Sequence, residues 1–113
     1  MSIFERALQT AWRAAQEVAE SYPEDKYGTC NFDTAYIPAK RDSANVRERI
    51  EAMRFRASYR KGWGFMLYPE EIDYPRRPEW QGCNEARRTA VAEAIARTLT
   101  TSGVPAGVYY QMD

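Results

Sequence analysis

The chain has 113 residues, a length that fits one domain and can bury a core without metal or disulfide staples. Apolar residues make up 44% and charged residues 28%, with a formal net charge of zero, so the whole molecule has no long-range pull toward a polyanion. There is no histidine, which removes the commonest general base and the usual metal ligand.

Ser2 and Glu5 have the spacing of a capping box. Phe4, Leu8, Ala11, Trp12, Ala15, Val18, Ala19 and Tyr22 recur at helical spacing, which predicts an amphipathic helix over Ile3–Ser21 that stops before Pro23. Its alanines would let it lie close to a sheet, with Trp12 in the core. Charges run through Met1–Tyr22, unlike a secretion signal. No apolar run approaches the roughly 20 residues that span a bilayer. A cytoplasmic protein without membrane contact is expected.

Pro23–Gly28 reads as a loop and Thr29–Ile37 as the first strand, rich in Thr, Phe, Tyr and Ile. Both faces of that strand are mixed, so alternation does not say which is buried. Pro38 ends it. Ser43 is the next N-cap. Val46, Ile50, Met53 and Ala57 then predict a helix over Ala44–Tyr59, ended by Gly62. A rival division ends the helix near Met53 and makes Arg54–Arg60 a strand, in a hairpin with the segment after Gly62. Trp63–Tyr68 is apolar and bounded by Gly62 and Pro69, as a buried central strand would be.

Pro69, Pro75 and Pro78 break regular structure over Pro69–Gly82. Tyr74 and Trp80 make this segment either a wrap anchored on the core or a binding loop. Asn84 caps a helix over Glu85–Thr100 with Val91, Ala94, Ile95 and Leu99 as its apolar stripe. Gly103–Gly107 reads as a turn, and Val108–Met112 as a terminal strand.

The order α-β-α-β-α-β predicts a single α+β domain over residues 1–113, with a three-stranded sheet covered by helices. Successive β-α-β units would make the strands parallel; a reversal in the long loop would make the sheet mixed. Trp12, Ile50, Met53, Phe65, Leu67, Val91, Ile95 and Leu99 are the expected core.

The densest mix of cations and aromatics runs from Arg54 to Trp63. Arg54, Arg56, Arg60 and Lys61 are interleaved there with Phe55, Tyr59 and Trp63. Guanidinium groups pair with phosphates or carboxylates and stack on rings, and exposed rings are platforms for bases. The plain alternative packs the aromatics inward and leaves the cations solvated. Between Ala39 and Trp63 eight cations meet only three anions, so the middle of the chain is basic and its flanks acidic.

Cys30 and Cys83 are expected as free thiols. Without histidine they make a poor zinc site, and neither a phosphate loop nor a dinucleotide fingerprint is present. No metal or cofactor is expected. Cys30 and Asp33 would point to opposite faces of a strand. Glu70, Glu71 and Asp73 form a carboxylate cluster that would bind a divalent cation or supply acid–base groups, unless it is only a solvated loop.

The leading expectation is therefore a non-enzymatic protein-binding module that occupies a partner's surface. Its contacts would be Arg54, Phe55, Arg56, Tyr59, Arg60, Lys61, Trp63, Tyr74 and Trp80, residue types in which binding energy concentrates. An adaptor, or an inhibitor carried by a phage or other mobile element, would act this way. The first alternative is nucleic-acid or nucleotide binding through the basic-aromatic stretch. The second is an enzyme using the acidic loop or Cys30. A nucleic acid would be bound with a steep salt dependence, a protein recognised by the aromatics with a shallow one.

Overall fold

The computed structural model describes residues 1–21, 33–72 and 85–110, with backbone alone for residues 85 and 86. Helix α1 spans Ile3–Ser21. The Ser2 hydroxyl accepts the Glu5 amide at 3.2 Å and donates to its carboxylate at 2.9 Å, so the expected cap forms. Strand β1 is Thr34–Pro38, α2 is Ala44–Glu51, β2 is Phe55–Arg60 and β3 is Gly64–Pro69. Helix α3 is Glu85–Thr101 and β4 is Gly107–Tyr109.

The domain is α+β, as expected, but the order is α-β-α-β-β-α-β and the sheet has four strands. The strands lie in the order β2-β3-β1-β4 and every neighbouring pair is antiparallel, which corrects both the three-stranded count and the parallel crossovers. Two β-α-β units are present, each split by an antiparallel strand. β3 lies between β1 and β2, and β1 lies between β3 and β4. This is the ferredoxin-like, split β-α-β connectivity, with α1 added in front.

The missing strand was hidden in the helix expected over Ala44–Tyr59. Backbone bonds from Met53 to Ile50 and from Arg54 to Glu51 close the last turn of α2. Arg54 then takes φ 70, a left-handed conformation that ends a helix. From there burial alternates with a period of two: Phe55 and Ala57 inside, Arg56, Ser58 and Arg60 outside. Ala57 fits both periods, which is why apolar spacing carried the helix too far. The rival division is the one the chain adopts, and Gly62 sits in a hairpin turn instead of at a helix end.

All three helices lie on one face of the sheet. Ala35 and Ile37 of β1, Phe55 and Ala57 of β2, and Phe65 and Leu67 of β3 meet Leu8, Ile50, Val91, Ile95 and Leu99 there. Every large side chain fully buried there contributes about 1.5–3 kcal/mol relative to exposure. Met53, expected in the core, packs at its margin. Ala7, Ala11, Ala15 and Ala19 are buried, and the face they form lies chiefly along α3, not against the sheet as expected. Trp12 is 7% exposed and donates its indole N–H to the Glu70 carbonyl at 3.0 Å, fixing α1 to the end of β3. Among the described residues no helix is long and apolar enough to cross a membrane.

Candidate functional site

The second sheet face carries no helix among the described residues. Antiparallel partners share a face, so register places Arg56 beside Tyr68, Ser58 beside Met66, Tyr36 beside Met66, and Thr34 beside Tyr109. The two central strands therefore present Tyr36 and Tyr68, with Arg56 and Arg60 on the edge strand β2 and Tyr109 on the other edge. Met66, at the middle, and Thr34 are buried and the three tyrosines half-buried; the accessible groups are Arg56, Ser58, Arg60 and Trp63, along β2 and its turn.

Trp63 joins this face from the β2–β3 turn. Its ring meets Tyr36 edge-on at 5.3 Å and Tyr109 edge-on at 4.7 Å between centroids, and it remains 40% exposed. Two close backbone approaches make room for the cluster. Gly64 has φ 140, and a Cβ there would fall 2.1 Å from the Ile37 carbonyl oxygen, so no side chain separates β3 from β1 behind Trp63. Gly107 lies under the Tyr36 ring, where a Cβ would come within 2.9 Å of the phenol oxygen.

The guanidinium of Arg56 sits over the Tyr68 ring at 4.9 Å and that of Arg60 over the Tyr109 ring at 4.6 Å. Among the described residues neither has a carboxylate partner. The same holds for Lys61 and for Lys40 and Arg41. The loop holding Lys40 and Arg41 is tied to the hairpin end by the Ala39 amide on the Trp63 carbonyl, 3.3 Å, and by the Tyr59 hydroxyl on the Ala39 carbonyl, 3.4 Å. Arg56 and Arg60, without a carboxylate among the described residues, thus lie over rings of one sheet face, and Lys61, Lys40 and Arg41 stand in the turn and loop at the hairpin end. The paired cations lie elsewhere: Arg47 with Asp42, Arg49 with Glu5, and Arg54 with Glu71.

The structure thus divides the stretch from Arg54 to Trp63 three ways. Arg56, Arg60 and Trp63 come together at the face away from the helices, and Lys61 follows in the exposed turn. Phe55 is fully buried and Tyr59 half-buried on the helix side, where Tyr59 meets Phe65 edge-on. Arg54 turns to α1 and lies over the Trp12 ring at 3.8 Å. Tyr74, Trp80, Asp73, Cys30, Cys83 and the cap at Asn84 lie outside the described residues, as do residues 29–32 of the expected first strand and residues 111–112 of the expected last one. Of the acidic cluster, Glu70 bonds through its backbone to Trp12 and Arg54, and Glu71 pairs with Arg54. Asp33 is buried and its carboxylate accepts the Thr89 hydroxyl at 2.7 Å.

Sequence reasoning passed over Tyr36, Tyr68 and Tyr109. A strand beginning at Phe55 would have signalled an alternating Arg56-Ser58-Arg60 face. Which tyrosines stand beside it depends on strand order and register, which one chain read alone does not contain. No family model matches the chain, and no curated protein or solved structure matches it either.

Proposed function

We propose that the protein is a binding module without chemistry of its own, that its contact surface is the sheet face that carries no helix among the described residues, and that the partner is a single-stranded nucleic acid. The observation that carries this is the placement of Arg56 and Arg60: exposed, stacked on Tyr68 and Tyr109, and without carboxylate partners among the described residues. Cations held over rings keep their N–H donors for phosphate. Four-stranded sheets with aromatics on the open face stack unpaired bases, and such stacking tolerates any base. The accessible Trp63 is the ring suited to that role; half-buried Tyr36 and Tyr68 support Trp63 and the Arg56 guanidinium. The neutral total charge does not oppose it, because the positive charge is local.

A protein partner with an acidic surface draws on the same cations, with Trp63 as its anchor. The burial of Phe55 and partial burial of Tyr59 leave that alternative fewer apolar contacts than the sequence suggested. Fluorescence anisotropy with a labelled single strand separates the two. About three to five phosphate contacts give a log–log salt slope of roughly −2 to −3.5 for a single strand. Reversing Arg56 and Arg60 to Glu should remove the binding. No binding at low salt, or a flat salt dependence, would overturn the nucleic-acid assignment and leave the protein surface as the better one.

A further inference from the structure

We propose a second, separate site: the cleft between α1 and the α2–β2 corner receives a phosphate group. It is lined by Gln9, Trp12, Arg13, Ala52, Met53 and Arg54 and encloses about 160 Å³. Sites for whole drug-sized ligands run to about 300–1,000 Å³, so this one has room for a headgroup. Gln9 and Arg13 are neighbours four residues apart on α1, with Trp12 beside them. Arg54 approaches from the other wall. Two arginines and a glutamine therefore line one small space. Among the described residues Arg13 has no ion-pair partner. Arg54 gives one Nη2 donor to Glu71, leaving most of its five donors uncommitted.

The backbone supplies an independent observation. Arg54 holds φ 70 and Glu71, its partner, holds φ 63. A left-handed conformation disfavours any residue with a Cβ, and glycine would adopt it freely. These two residues are paired with each other, and Arg54 is the one that lines the cleft. The ring of Trp12, 3.8 Å from the Arg54 guanidinium, holds that cation against the wall. The left-handed turn that ends α2 thus fixes where the Arg54 side chain leaves the backbone beside the cleft. Phosphate oxygens accept paired N–H donors from guanidiniums; Arg13 brings an uncompensated charge, and Arg54 brings donors beyond the one that Glu71 takes.

The test is titration of ¹⁵N-labelled protein with inorganic phosphate at fixed ionic strength, with chloride as control. The Trp12 indole N–H and the amides of Ala52, Met53 and Arg54 should shift and saturate, while the Trp63 indole stays still. Arg13→Gln removes an exposed charge and should weaken the binding roughly tenfold or more, with the rest of the spectrum unchanged. Adenosine monophosphate titrated in parallel identifies the source: equal affinity assigns free phosphate, and tighter binding assigns the phosphate of a nucleotide. A Trp12 signal that does not move, that follows chloride equally, or that responds unchanged in Arg13→Gln would overturn the site. A response confined to Trp63 would assign the anion to the sheet face and overturn it too. The outcome is independent of whether the sheet binds nucleic acid.

Discussion

Arg54 and Arg56 stand two residues apart and both lie over an aromatic ring, yet they belong to different parts of the molecule. Arg54 covers Trp12 and is neutralised by Glu71, in a corner where α1, the start of β2 and the end of β3 are hydrogen-bonded together. Arg56 covers Tyr68 on the open sheet and has no carboxylate beside it among the described residues. Stacking a cation on a ring is the same interaction in both places. The neighbouring carboxylate makes the difference: with it one donor ties structural elements together and the charge is offset, and without it the whole guanidinium and its full charge stay available. Residue type alone does not separate the two; backbone conformation and a contact 17 residues away do.

The two tryptophans should give the largest contrast. Trp12→Ala removes a buried ring and its hydrogen bond and should cost about 3–5 kcal/mol in urea unfolding. Trp63→Ala loses two edge-on ring contacts at an exposed position and should cost about 1–2 kcal/mol. Equal costs would mean that the open face is a second core. Glycine scanning gives a smaller effect of opposite sign at the two arginines. At Arg54 glycine should be more stable than alanine by about 1 kcal/mol, because it relieves the left-handed strain. At Arg56, inside a strand, glycine should be less stable than alanine by about 0.5–1 kcal/mol. The same sign at both positions would remove the backbone distinction between them. Smallest of all, Arg56→Glu with Arg60→Glu should leave stability within about 0.5 kcal/mol, as expected of exposed groups away from caps and core. A larger loss would show that these cations support the sheet.

Much of this fold was legible in the sequence. The capping box and apolar stripe of α1, the strand after Gly62 and the stripe of α3 came from local chemistry and proved right. Leu67 and Phe65 were correctly placed at the centre of the sheet. The end of α2 was misread because Val46, Ile50, Met53 and Ala57 satisfy a helical period while Phe55, Ala57 and Tyr59 satisfy a strand period. The deciding feature is a left-handed arginine, and local propensity does not anticipate one. Strand order escaped for a different reason: a short β4 placed beside β1 is a tertiary choice, made by the packing of α3. The candidate site shared that limit. Arg56, Arg60, Lys61 and Trp63 were visible as a cluster in sequence, but the tyrosines that complete it come from three other strands.

Mapping a short single-stranded oligonucleotide that lacks terminal phosphates onto the labelled protein tests the central claim most directly. The ring protons of Tyr36, Tyr68 and Tyr109, the Trp63 indole and the amides of β2 should shift together, with Trp12 and the buried residues of α3 unmoved. Shifts centred on α1, α3 or the Trp12 corner, with the open face silent, would contradict it.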